Sequence, residues 1–161
     1  MLRVMASEAA IPGAILRGPS GTAQLIERLE RARPSEPARL VFDADGTLWS
    51  GDVGFDLFAH AIEHRALRPA ATAALVREAQ ALGLTVKGDP EPHRLATELL
   101  AAHHRGQYAD LPAYAMMAWA FAGLSRVEMS HLAELVVERT GLRDRVFGFV
   151  APVLEWARAA S

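Results

Sequence analysis

The chain has 161 residues, enough for one domain with an inserted subdomain and able to bury roughly 70% of its unfolded surface. Lysine and arginine number 17 against 19 acidic residues, and the formal net charge of -2 removes any electrostatic case for binding nucleic acid or an anionic membrane. The absence of cysteine excludes disulfide scaffolds, thiolate metal sites and cysteine nucleophiles. Residues 1–20 lack the layout of a secretory leader, because Arg3 is offset by Glu8 within a broken apolar stretch, so the cytoplasm is the expected location.

Leu25, Ile26 and Leu29 recur at helical spacing among charges and predict a helix over residues 22–33. Pro34-Ser35-Glu36-Pro37 breaks it. The all-apolar run Leu40-Val41-Phe42 then reads as a strand of the kind buried on both faces of a parallel sheet. Leu84-Thr85-Val86 is a weaker strand candidate before Gly88-Asp89-Pro90, and no other segment offers a partner strand. Left unpaired and buried, the peptide groups of a lone strand cost about 1–3 kcal/mol each, so residues 39–42 are expected to pair with another chain or a missing half.

Beyond Gly54 the pattern is helical, with helices expected over residues 55–67, 70–82, 93–104, 111–122, 126–140 and 145–160. Gly83 and Gly106 mark two of the ends. Ser125-Arg126-Val127-Glu128 fits a capping box, and Gly141 suits the left-handed residue after that helix. Pro152 should kink or restart the last helix. Residues 111–121 are apolar nearly all round, which suits a buried helix, a cap helix lining a site, or an interface; the segment is too short to span a bilayer, which takes about 20 residues.

Directly behind the strand candidate stands Asp43-Ala44-Asp45-Gly46-Thr47-Leu48-Trp49, two carboxylates two residues apart. An EF-hand loop does not fit, since its glycine comes sixth from the first ligand and here it comes fourth. A plain polar turn is the simpler reading of Asp and Gly together. With the apolar run before it, Thr-Leu-Trp after it, and Gly51-Asp52-Val53-Gly54 where a small flap would lie, the segment resembles motif I of the haloacid dehalogenase-like (HAD) superfamily, in its phosphoserine phosphatase-like branch.

That resemblance implies an α/β fold, a HAD-like Rossmannoid core with a helical cap, in a chain that is itself mostly α-helical with one core strand. It divides the chain into residues 1–54 (first helix, first core strand, Asp loop and flap), 55–141 (helical cap) and 142–161 (the helix returning to the core). It implies a phosphatase that hydrolyses a small phosphomonoester through an aspartyl-phosphate. Asp43 would be the nucleophile and Asp45 the general acid/base, both would hold Mg²⁺, and Gly46, Thr47 and, more weakly, Asp52 would face phosphate or substrate. The family's later elements are expected after the returning helix: a strand bearing Ser or Thr, a lysine and a late acidic pair. The sequence reaches Ser161 without them, and its one lysine, Lys87, falls in the expected cap, where it reads as a solvated loop charge. The expectation is therefore the first half of such a fold, poorly active alone, whose partner would be a second copy or a complementary C-terminal half. The alternative from another class is a non-catalytic association module.

His60-Ala61-Ile62-Glu63-His64 also matches the H-x-x-E-H pattern of inverted zinc hydrolases, with two histidines on one helix face, a glutamate to activate water, and Glu134 or Glu138 as a third ligand. Its plain alternative is an exposed polar helix face. His103 and His104 suit a helix C-terminus.

Overall fold

The computed structural model describes residues 19–33, 39–86 and 88–160. The described residues are mostly helical, with no strand among them. In chain order the α-helices are α1 (Pro19–Arg31), α2 (Val53–Glu63), α3 (Thr72–Ala81), α4 (Pro92–His104), α5 (Asp110–Ala120), α6 (Arg126–Arg139) and α7 (Val150–Ala159). None is long and apolar enough to cross a membrane. The chain divides into two compact units, Asp52–Asp144 and a second made of Met1–Gly51 with Arg145–Ser161.

The unit Asp52–Asp144 is built around Phe58 of α2, Leu75 of α3, Leu95 and Leu99 of α4 and Met116 of α5, all of them completely or almost completely removed from solvent. α3 packs on α4 and α5, while α2 packs on α6 and α4. Ala61, Ala71, Ala79, Ala96, Ala113 and Ala120 are buried in the same core. Burying a leucine- or phenylalanine-sized side chain contributes about 1.5–3 kcal/mol, so this cluster holds the unit together.

Three helix ends in this unit, those of α2, α3 and α4, close in the same way. The amide of Leu84 donates to Ala79 O (2.9 Å) and that of Gln107 to Ala102 O (2.9 Å), six-residue closures around Gly83 and Gly106, both at positive φ. α2 closes the same way, Ala66 N to Ala61 O at 2.9 Å, but the left-handed residue is Arg65 (φ 53°). This is why the helix expected over residues 55–67 stops at Glu63: the terminator is not a glycine. At the other end of α6 both halves of the Ser125/Glu128 capping box are formed. Leu84, Thr85 and Val86 are not a strand; Leu84 and Val86 pack against the helical core instead.

In the second unit α1 packs on α7. Trp156 Nε1 donates to Glu30 Oε2 at 3.0 Å, and the Arg33 guanidinium donates to the carbonyl of Ala160. Among the described residues of this unit the buried apolar side chains are Val150 and Val153 on α7. The helix expected over residues 145–160 is interrupted: a 3-10 turn, Leu142–Arg145, is followed by a single bridge residue, Val146, and a turn, and α7 restarts at Val150 with Pro152 in its first turn, where a missing N–H costs nothing.

The core strand expected at Leu40-Val41-Phe42 is not formed. Residues 39–44 carry no strand pairing, and Leu40 and Val41 are 41% and 87% exposed. The physical reason is the hydrogen-bond requirement itself: with no partner strand among the described residues, the peptide groups stay with water, and the apolar side chains follow them out. Residues 34–38, which include the expected Pro-rich breaker, lie outside the described residues, as does Lys87.

Candidate functional sites

The acidic loop belongs to the second unit. Three amides, those of Thr47, Leu48 and Trp49, converge on the carbonyl of Ala44 at 3.1, 2.7 and 3.4 Å, which folds residues 44–49 into one tight turn. Gly46 provides its left-handed position, φ 71°. Thr47 Oγ1 donates to Asp43 Oδ2 at 3.2 Å, and Trp49 Nε1 donates to Asp45 Oδ1 at 2.7 Å. Both carboxylates are thus oriented by side chains of the same turn, and both residues are exposed.

Immediately behind the turn, the chain pairs with the segment that begins the return to α7. Phe147 N donates to Leu48 O at 2.9 Å, Ser50 N donates to Arg145 O at 3.0 Å, and Trp49 and Val146 form an antiparallel bridge. Gly51 takes the left-handed φ of 87° that favours glycine here, and a Cβ at this position would lie 2.6 Å from Nη1 at the movable end of Arg145. The two crossings by which the chain leaves for residues 52–144 and comes back are therefore held side by side. Asp52 accepts the amide of Phe55 at 2.9 Å and is the N-cap of α2, so its carboxylate has a structural occupation that needs no substrate.

A second cluster lies at the C-terminal end of α2. His60, Glu63 and His64, at positions i, i+3 and i+4, place one donor atom each within 4.8 Å of one another. The two imidazole rings have centroids 4.2 Å apart. His64 Nε2 lies 3.7 Å from Glu63 Oε2 and 2.6 Å from Arg139 Nη1 on α6; since a guanidinium can only donate, His64 Nε2 accepts. Partial burial, then the neighbouring His64 and Arg139 charges, hold the His60 pKa below its ordinary value against an upward pull from Glu63. Glu134 and Glu138 are exposed on α6 and do not join this donor group.

One buried histidine carried no signal in the sequence. His93, 8% exposed, accepts the amide of Leu67 on Nε2 at 3.0 Å, which leaves Nδ1 as the protonated nitrogen facing Glu91. Glu91 in turn caps α4 through the amide of Arg94 at 2.8 Å. Burial raises the Glu91 pKa, but the hydrogen bonds from His93 and from the Arg94 and His93 amides outweigh it and hold the carboxyl down at about 2. Tyr108 donates to Glu78 Oε2 at 2.6 Å; burial first, then this carboxylate, raise the phenol above its ordinary range. Both are ties within the helical core. Only tertiary contact, not spacing, could have revealed them.

Compared with protein-family models, curated proteins and solved structures, the chain matches none.

Proposed function

We propose that this chain carries the nucleophile-bearing part of a Mg²⁺-dependent phosphomonoester hydrolase of HAD-like type, with residues 52–144 as an inserted helical cap. One observation carries the reading: an Asp-x-Asp-Gly-Thr turn stands directly before a paired crossing, Leu48–Phe147 and Ser50–Arg145, through which a self-contained helical unit is inserted. The placement supports a division of labour. Asp43 is the group for in-line attack on phosphorus, expelling the alcohol oxygen, and Asp45 is the group that gives that oxygen its proton and then takes one from water. Thr47 keeps the Asp43 carboxylate oriented through their 3.2 Å bond.

The donor set fits Mg²⁺, a hard cation that accepts one or two carboxylates and keeps most of its waters. Asp43 and Asp45 would hold it, and no third acidic side chain joins them in a metal-holding group among the described residues. When bound, the cation neutralises charge on the transferring phosphoryl oxygens. The one lysine, Lys87, falls in the helical insert's sequence and not where the resemblance expects the phosphate-binding lysine, so the turnover we expect is a trace.

The direct test is phosphoryl transfer from acetyl phosphate in the presence of Mg²⁺. A hydroxylamine-sensitive phosphoryl group on Asp43, absent from Asp43→Asn and accumulating in Asp45→Asn, is the expected result. An equal adduct on Asp43→Asn would refute the assignment, and para-nitrophenyl phosphate turnover in the ordinary range of ~1–10³ s⁻¹ would refute the trace rate.

A second reading, an association module, is favoured by the exposure of Leu40 and Val41 in a segment with no strand pairing among the described residues. Such an edge is a template for a strand from a second copy or from a complementary C-terminal half. The two readings are compatible, since the added strand would also firm up the acidic turn.

A further inference from the structure

We propose that His60, Glu63 and His64 form a binding site for a borderline divalent cation of the zinc class, and that the Arg139 guanidinium occupies the cation's place on His64 when the metal is absent. This goes beyond the phosphatase reading and does not depend on it, because these residues belong to the helical unit Asp52–Asp144 and not to the acidic turn.

Three features support the site. The donor set is two imidazoles and one carboxylate, which suits zinc, copper or nickel and not the all-oxygen preference of Mg²⁺. Zinc with three protein ligands completes its shell with water, and its metal–ligand distances of about 2.0–2.2 Å ask donors already within 4.8 Å to close by a small side-chain rotation. The placement is also electrostatically right: the cluster ends α2, at the negative pole of the helix dipole. Finally, the site already holds a cation. Arg139 Nη1 lies 2.6 Å from His64 Nε2, so the lone pair that a metal would use is directed at a positive charge.

This geometry separates binding from hydrolysis. In the inverted zinc hydrolase pattern Glu63 would be the general base and a third ligand would come from elsewhere, but Glu134 and Glu138 are not part of the donor group. Glu63 is itself the third donor, and among the described residues no further carboxylate joins the group to activate water. Because Arg139 is on α6 and the ligands are on α2, filling the site exchanges one α2–α6 tie for a metal held by α2 alone. Metal binding and the packing of α6 are coupled through that one side chain.

The experiment is calorimetric titration of the full chain with Zn²⁺ alone, with the visible absorption of Co²⁺ as a second probe of the ligand set. One equivalent should bind in the micromolar range. His64→Gln and Glu63→Gln, both at exposed positions, and His60→Gln should each weaken binding by roughly tenfold or more. Arg139→Ala should tighten it several-fold by removing the competing cation, while His104→Gln should leave it unchanged. Absence of saturable binding, or binding that survives both His64→Gln and Glu63→Gln, would overturn the site. Affinity unchanged or weakened in Arg139→Ala would overturn the surrogate role of the guanidinium.

Discussion

Between Asp52 and Asp144 the helices surround side chains such as Phe58, Leu75, Leu95 and Leu99 that are wholly buried, whereas the unit holding the acidic turn buries Val150 and Val153 and leaves Leu40 and Val41 in water. The helical unit satisfies its backbone locally, residue by residue along each helix. The other does so in α1 and α7 but relies on turns and one short pairing around the acidic residues, and presents an apolar segment with no partner strand among the described residues.

The contrast makes its largest prediction in core truncation. Leu99→Ala should destabilise the helical unit by about 2–5 kcal/mol, because Leu99 is fully enclosed and the cavity cannot collapse. Val153→Ala should cost less, about 1–2 kcal/mol, and register only in the second unit. Denaturant unfolding followed separately by near-ultraviolet signals and helical circular dichroism checks both. A single shared transition shifted equally by the two substitutions would erase the distinction.

Legibility from sequence follows the same line. The helices of residues 52–144 were readable because periodicity, the Ser125/Glu128 box and Gly83, Gly106 and Gly141 are local signals, and the structure honours each of them. The end of α2 was overrun because Arg65 does a glycine's work. Leu40-Val41-Phe42 forms no strand because an apolar run records a tendency to be buried, while a strand also needs a partner that no local pattern supplies. At the candidate sites, Asp43, Asp45, His60, Glu63 and His64 were all visible as spacing. The bonds that orient them, from Thr47, Trp49 and Arg139, depend on the fold.

A middle-sized effect sharpens the picture of the insert's turns. Gly123→Ala should cost more than Gly83→Ala, although both glycines have positive φ and both changes carry about 1–2 kcal/mol of left-handed strain. A Cβ on Gly123 would meet the Ala70 Cβ at 2.9 Å, whereas one on Gly83 meets nothing within 4 Å. Thermal unfolding of the two variants gives the difference, and equal losses would show that the Gly123 turn yields.

The smallest effect is a pH dependence. Glu91 has a folded pKa of about 2 against an ordinary 4.5, so its bonds to His93 and Arg94 stabilise fully above the ordinary value and are lost as pH falls from there toward 2. Glu91→Gln should cost about 1 kcal/mol near neutrality, the usual worth of an N-cap, and flatten the acid limb of stability over that window. An unchanged acid limb would mean that the carboxylate titrates alike folded and unfolded.

Amide hydrogen exchange on the monomeric chain tests the central contrast most directly. The expected result is strong protection through α4 and α5 at Leu95, Leu99 and Met116, with Leu40, Val41 and Phe42 exchanging at nearly the rate of an unfolded peptide. Protection at residues 40–42 in a monomer, comparable with that of α4, would contradict the account by requiring a partner strand within this same chain.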